Sequence, residues 1–218
     1  MNTTQTSLLH SYDLVAEDYA EHFRDEMDKK PFDRRVLDWL IEKVCERGVI
    51  CDMGCGPGQV ARYLHDHGAQ VCGVDFSNGM VEQARRLHPT INFFQGDIMD
   101  LHETAEGSYG GIAAFYSIVN IPPPSLLQAL RELQRVLCAG GVLLLSFHVG
   151  DEIKHLDEWW GKEVSVDFYF YQTEMVKHRL QEAGFDLEEV IEREPYPEVE
   201  YPSRRAYIFA RKCEPRER

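Results

Sequence analysis

The stretch Val49-Ile50-Cys51-Asp52-Met53-Gly54-Cys55-Gly56-Pro57-Gly58-Gln59 decides the fold. An apolar run breaks there into closely spaced glycines, and a helical pattern through Val60, Ala61 and Leu64 starts at once, so the reading is strand, tight loop, helix. A run of Val, Ile, Cys and Met suits a strand buried on both faces of a sheet. Gly54, Gly56 and Gly58 permit backbone angles closed to other residues and let a ligand approach the main chain. Pro57 is expected at a first helical position, where no amide hydrogen is needed. A helix N-terminus beside an open glycine loop makes a site for a polar or anionic group, and a nucleotide-like cofactor is the leading candidate.

The same logic extends in both directions. Upstream, Pro31 opens and Gly48 closes a helix with Val36, Leu37, Leu40, Ile41 and Val44 in its pattern. Residues 11–28 are helix-compatible, with Tyr12, Val15, Ala16, Tyr19 and Phe23 on one face. Downstream, residues 70–74 form a second strand ending at Asp75, and Ser77 opens a helix through Met80, Val81, Ala84 and Leu87. Residues 91–95 give a third strand, followed by Gly96, Asp97 and Ile98. Residues 109–119 are expected as the fourth strand, despite a weak start at Gly110-Gly111. Ser125 and Gln128 suggest a capping box on an amphipathic helix that Gly140-Gly141 ends. Residues 142–147 read as a buried fifth strand that delivers His148. Thr173 is expected to cap a further helix, Gly184 to end it, and residues 185–191 and 206–210 to form the last two strands. Strands alternating with helices imply an α/β sheet whose ligands bind beyond the carboxyl ends of its strands.

A dinucleotide fingerprint needs Gly-x-Gly-x-x-Gly, and Gln59 stands where its third glycine belongs. The order Asp52-x-Gly54-x-Gly56-x-Gly58 instead resembles motif I of the class I S-adenosylmethionine-dependent methyltransferases. The resemblance implies that Asp52 faces the methionine part of S-adenosylmethionine, directly or through water, with Gly54 and Gly56 packed under it. Asp75 falls ~20 residues past the loop, where a carboxylate suits a ribose diol because it only accepts; a helix cap beside Ser77 is the plainer alternative. By the same resemblance Asp97 faces the adenine amine, Ile98 flanks the base and Met80 lies on its other side, with Phe76 and Phe115 completing the cofactor set. Tyr12-Asp13-x-x-Ala16-x-x-Tyr19 matches a common opening of small-molecule members, whose leading helix covers the cofactor. Tyr12 and Tyr19 are therefore candidates for a lid, or the core of a helix that simply packs on the domain. Relatives usually carry an aspartate near Gly110, read as structural.

The resemblance implies a Rossmann-like, seven-stranded, doubly wound, mostly parallel sheet with an antiparallel last strand and helices on both faces. Residues 1–30 would form an N-terminal lid helix region and residues 31–218 a methyltransferase domain. Residues 149–172 depart from the alternation, and their aromatics read as an insertion that walls a pocket or as a satellite core. Tyr116, Trp159, Tyr169 and Tyr171 are the expected substrate contacts. His148 is the first candidate for a general base and His155 the second, with Asn120 orienting; a satisfied histidine at a strand end is the competing reading of His148. No metal site is expected.

The chain has 218 residues, 44% of them hydrophobic, enough for one well-packed domain. Its net charge of -14 disfavours a nucleic-acid partner, which needs a basic footprint, and tolerates neutral or cationic small molecules. The basic pairs Arg85-Arg86 and Arg204-Arg205 read as solvated helix face and strand end. The six cysteines form no Cys-x-x-Cys pair and read as buried thiols. No apolar run approaches a membrane span, and residues 1–9 are polar where a signal peptide would be basic and then greasy, so a cytoplasmic enzyme is expected. The expected activity is methylation of an oxygen, nitrogen or carbon of a small metabolite by S-adenosylmethionine, leaving S-adenosylhomocysteine. The alternatives are an RNA or protein methyltransferase, a nicotinamide-dependent oxidoreductase, and an S-adenosylmethionine-binding protein without catalysis.

Overall fold

A computed structural model describes residues 3–213. In chain order the elements are α1 (Thr3–His22), α2 (Glu26–Lys29), α3 (Pro31–Val44), β1 (Ile50–Met53), α4 (Gln59–Asp66), β2 (Val71–Asp75), α5 (Asn78–Leu87) and β3 (Asn92–Gln95). They continue with β4 (Tyr109–Phe115), α6 (Leu126–Val136), β5 (Leu137–His148), β6 (Ile153–Trp159), β7 (Lys162–Tyr169), α7 (Thr173–Glu182), β8 (Phe185–Arg193) and β9 (Arg205–Lys212). The seven-stranded sheet runs β3-β2-β1-β4-β5-β9-β8. The first five strands in that order pair in parallel, and β9 is antiparallel to both its neighbours. The strand order reverses between β1 and β4, which opens a crevice at their carboxyl ends.

Side-chain alternation distributes the core to two faces. On β5, Val142 and Leu144 pack with Leu37 and Leu40 of α3, whereas Leu143, Leu145 and Phe147 pack with α6 and α7 through Leu130, Leu133, Val176 and Leu180. A strand covered on both faces has to be apolar at successive positions, as β5 is. Gly110 and Gly111 are required where β4 passes α3. A Cβ on Gly110 would lie 2.7 Å from the Arg47 backbone, and one on Gly111 would lie 2.4 Å from Val44 Cγ2. Cys51, Cys55 and Cys72 are buried, whereas Cys138 is half-buried and Cys45 and Cys213, expected as buried thiols, are exposed because they lie just past the ends of α3 and β9.

Several local expectations are corrected. The first helix begins earlier than residue 11 and ends at His22, with α2 a separate short piece. Pro57 lies in the loop, because α4 starts only after Gly58 takes φ 89°. β4 stops at Phe115, where Tyr116 turns the chain with φ 52° into a 3-10 segment, Ser117–Asn120. Ser125 makes no side-chain cap; Gln128 instead donates Nε2 to Met99 O at 2.9 Å. Thr173 is the first residue of α7 rather than its cap, and its hydroxyl donates to Glu192. β5 runs from Leu137 through the glycines that were expected to end α6. Ser77 does cap α5, accepting from Met80 N at 3.1 Å.

The expected insertion is an antiparallel hairpin, β6-β7, in a sheet of its own. It packs on α1, with Val164 and Val166 meeting Val15 and Ala16. α1 is pinned at further points. Asp13 Oδ1 accepts from Ser77 Oγ at 2.5 Å and from Gly79 N at 2.8 Å, Ser11 Oγ accepts from Ser165 N at 3.0 Å, and Lys162 pairs with Asp18 at 2.7 Å.

A buried polar cluster ties α3 to the far side of the sheet. Arg193 Nη2 donates to Asp33 Oδ1 at 2.9 Å, and Arg193 also holds both oxygens of Glu200 at 2.7 and 2.9 Å. Tyr207 donates to Asp33 Oδ1 at 2.5 Å. Arg205, expected on a solvated strand end, is instead 2% exposed and donates to the carbonyls of Tyr201 and Ser203. No helix among the described residues is long and apolar enough to cross a membrane.

Candidate active site

A cavity of about 780 Å³ opens at the carboxyl ends of β1, β2 and β4, within the range of small-molecule and cofactor sites. α1 supplies Tyr12 and Tyr19 to its wall, and β7 supplies Ser165, Asp167 and Tyr169. The glycine loop forms its floor, with Gly54 N and Cys55 N donating to Val74 O at 2.7 and 3.0 Å. Gly54 has φ 74°, and a Cβ there would lie 2.4 Å from Ser117 Cβ, so only glycine fits. Above Gly56 the space is open as far as the Tyr19 ring, 3.9 Å away.

The three predicted acids converge on this cavity, as do Gly54, Gly56, Phe76, Met80, Ile98 and Phe115. Asp52 is 1% exposed, and its Oδ2 accepts from Ala61 N at 2.8 Å in the first turn of α4. Burial pushes its carboxyl up to about 8, against the pull of that amide, and the neighbouring Asp75 charge adds to the rise. Asp75 accepts from Gly56 N at 2.7 Å through Oδ2 and from Ser77 N at 2.9 Å through Oδ1. It therefore fixes the glycine loop as well as facing the cavity. Burial raises it to about 6, opposed by the Ser77 and Gly56 amides. Asp97 Oδ1 accepts from Met99 N at 2.8 Å.

On the other side, Tyr116, Asn120 and Tyr169 line the cavity. Tyr12 donates its hydroxyl to Asn120 Oδ1 at 2.8 Å, and Asn120 Nδ2 donates to Asp167 O at 2.8 Å. This chain of bonds joins α1, the 3-10 segment and β7. Tyr116 occupies a left-handed backbone angle that is costly for a residue with a side chain, held by hydrogen bonds from its amide to Ser146 O and Oγ at 3.0 and 3.2 Å.

Four predicted residues lie elsewhere. His148 is not in the cavity wall; it stacks on Phe170 and bonds Ser203 Oγ at 2.8 Å. Burial, with the Arg205 and Lys30 charges, lowers its imidazole to about 3, far below what a general base at neutral pH requires. His155 is on the exposed side of the hairpin between Asp167 at 2.6 Å and Asp157 at 3.0 Å, and the Asp167 bond raises its pKa. Trp159 sets its ring against Tyr12 and Tyr19, each at 5.7 Å, so it buttresses the lining without entering it. Tyr171 is buried in the core and donates to the carbonyls of Ile118 and Ile121, which holds the turn after β4. Accordingly His148→Gln and His155→Ala should leave the pH-rate profile of any turnover unchanged. A lost limb in either profile would restore that histidine to the chemistry.

Sequence reasoning missed Glu26, Asp33, Gln59, Ser117 and Asp167, all of which line the cavity. One signal was present. Asp33 falls on the apolar stripe of α3 with Val36, Leu37, Leu40 and Val44, and a carboxylate on a buried face asks for a partner or a ligand. Glu26 accepts from Lys30 Nζ at 2.5 Å and from Gln59 Nε2 at 2.9 Å.

The strand order, the reversal at β1 and β4 and the rim of acids define a Rossmann-like methyltransferase fold. Residues 50–141 match the family model of a methyltransferase domain. A malonyl-[acyl-carrier protein] O-methyltransferase of Enterobacter lignolyticus is 31% identical over 129 residues, 58% of this chain and 50% of that protein. A demethylmenaquinone methyltransferase of Beutenbergia cavernae is 33% identical over 113 residues, 52% of this chain and 45% of that protein. The chain thus spans about half the length of these curated relatives. Among solved structures, the Burkholderia thailandensis 1,6-didemethyltoxoflavin-N1-methyltransferase, with 1,6-didemethyltoxoflavin and S-adenosylhomocysteine bound, superposes with a TM-score of 0.73 at 17% identity, covering 96% of this chain and 88% of that one. A methyltransferase of Methanosarcina mazei gives 0.71 at 15% identity, covering 81% of this chain and 98% of that one. At such identities the superpositions speak to the fold. The match over residues 50–141 and the relatives named here are to methyltransferases, and the superpositions give the fold of S-adenosylmethionine-dependent methyltransferases.

Proposed function

We propose that this protein transfers the methyl group of S-adenosylmethionine to a small molecule. One observation carries the reading. Among the described residues five buried side-chain polar atoms have no hydrogen-bond partner, and three of them, Asp33 Oδ2, Gln59 Oε1 and Ser117 Oγ, belong to residues lining this single cavity. Buried polar atoms are normally paired, so three unpaired ones on residues that line one cavity support a polar ligand there.

The residues present fit the cofactor. Asp75 keeps lone pairs for ribose hydroxyls beyond those used by the Gly56 and Ser77 amides, and Asp97 Oδ2 faces the adenine side with Ile98 and Met80. Asp52 and the open space over Gly56 suit the methionine end. When bound, the cofactor supplies a methyl carbon already activated by its sulfonium, so the protein's task is alignment and exclusion of water. Tyr12, Asn120 and Tyr169 orient the acceptor, while α1 and β7 shield it. No general base is required of the cavity. In this reading the setting is the cytoplasm and the partner is a small molecule; the net charge of -14 speaks against RNA.

Calorimetry against S-adenosylmethionine, S-adenosylhomocysteine and NAD tests the assignment. Binding of the first two is expected, and binding of NAD alone would overturn it. Because Asp75 and Asp52 titrate near 6 and 8, affinity for the cationic cofactor should increase as pH rises through that window and both acids become charged. A flat profile between those values would remove both carboxylates from the cofactor's charge balance.

A further inference from the structure

We propose that the acceptor is an amine, selected by a hydrogen bond from its nitrogen to Asp33 Oδ2. The inference rests on the methyl-transfer reading and goes further, by naming the substrate class and the residue that chooses it. The charge inventory of the cavity is one-sided. Among the described residues its wall holds six carboxyl side chains (Glu26, Asp33, Asp52, Asp75, Asp97 and Asp167) and no Lys, Arg or His.

The cations nearest to Asp33 are not among the lining residues, and their bonds go to Asp33 Oδ1, Glu26, Glu200 and backbone carbonyls. Lys30 Nζ lies 2.5 Å from Glu26 and its ammonium sits over the Tyr116 ring at 5.3 Å. Arg193 is divided between Asp33 and Glu200, and Arg205 is held by backbone carbonyls beside Glu200 at 3.6 Å. An acceptor bearing a carboxylate or phosphate would shed its water next to carboxylates with no counter-cation on its side. An amine meets acceptors.

Asp33 is placed to be the selective one. It is fully buried on α3, its Oδ1 is consumed by Tyr207 and Arg193, and its Oδ2 has no partner. Gln59 offers a second unpaired acceptor, since donation of Nε2 to Glu26 fixes its amide with Oε1 free. Gln59 directly follows the glycine loop, so its oxygen goes with the cofactor, whereas Asp33 is joined through Tyr207 to Phe115 and Tyr116, in the cluster that also holds Met27. These rings and the thioether give the amine an apolar, polarisable surround.

The step balances without a further reactant. The acceptor gives up one proton to solvent before it binds and enters as the neutral amine, with an N–H donated to Asp33 Oδ2. The freed nitrogen lone pair forms the N–C bond to the methyl carbon, the C–S bond breaks, and its pair returns to sulfur to give the neutral thioether of S-adenosylhomocysteine.

The test incubates the whole protein with methyl-labelled S-adenosylmethionine and a small-molecule extract, and sorts the label by base stability and mass. Label on nitrogen, stable to base, is expected. Asp33→Asn should lower kcat/KM for that acceptor by about 10- to 100-fold while the calorimetric affinity for S-adenosylhomocysteine stays unchanged. Asp33→Glu should recover part of the loss, which a merely structural role for the site would not predict. Label in a base-labile methyl ester, on a hydroxyl or on carbon would overturn the amine inference and leave the methyl-transfer reading standing. Failure of the wild-type protein to bind S-adenosylmethionine would sink that underlying reading and the inference with it. Should the Asp33 variants be poorly folded, Met27→Lys, which adds a cation to the same wall, provides the second arm. It should depress amine turnover at unchanged cofactor affinity, and unaltered amine turnover would count against the proposal.

Discussion

Arg193→Ala should destabilise the protein by about 3–5 kcal/mol, because it leaves buried Asp33 without its ion-pair partner and Glu200 with only the longer Arg205 and Lys30 contacts at 3.6 and 3.8 Å. Asp33 and Glu200 have no exposed side-chain surface, and Arg193 is the guanidinium that bridges them. The pH dependence separates the two acids. Burial alone would raise Glu200, but the Arg193 bonds, the Tyr196 amide and the Arg205 charge hold it down to about 2. A carboxyl depressed on folding contributes stability above its ordinary value of 4.5, and that contribution disappears as pH falls toward about 2. Asp33 behaves in the opposite sense. Burial outweighs Lys30, Tyr207 and Arg193 and raises it, so its contribution is present below the ordinary value and lost as pH rises through the raised one. In Arg193→Ala the acid limb of the denaturation profile should therefore flatten. Urea unfolding between pH 2 and 7 measures both effects, and a loss under 1 kcal/mol would show that the cluster is better hydrated than its geometry indicates.

The second large effect falls on the cofactor. Asp75→Ala should weaken S-adenosylmethionine and S-adenosylhomocysteine binding by roughly 1–3 kcal/mol for each charge-assisted hydrogen bond lost, a Kd at least tenfold higher. The substitution removes the acceptor for ribose and also frees the Gly56 and Ser77 amides that shape the floor. Asp75→Asn distinguishes the two contributions, since a carboxamide oxygen can hold one amide but not both. Calorimetry on a variant with native thermal unfolding decides the matter, and an unchanged Kd would remove Asp75 from the ribose role.

The features legible in sequence were those written in local spacing. Asp52, Asp75 and Asp97 each sit at a strand end next to a glycine or a cap, so the strand-loop-helix pattern alone brings them to one rim. The strand count was legible for the same reason, whereas the antiparallel final strand came only from the family resemblance. Errors arose where facing and packing decide. His148 ends β5 as expected, but the segment that leads into β9 folds over it and Ser203 occupies its Nδ1. Trp159 and Tyr171 are close in sequence to the lining residue Tyr169, yet one backs the lid tyrosines and the other turns into the core. Asp33, Gln59 and Ser117 are brought to the cavity only by contacts between α3, the loop after β1 and the turn after β4. Spacing along the chain carries no record of such contacts.

The latch that joins α1 to the hairpin and to α5 has a kinetic consequence. Asp13, through Ser77 and Gly79, and Lys162, through Asp18, hold α1 as one wall of the cavity that the proposed reaction would use. Under the proposed function, loosening this clasp is expected to speed release of S-adenosylhomocysteine and so raise steady-state turnover. Severing Lys162 from Asp18 should quicken exchange while leaving the single-turnover burst untouched.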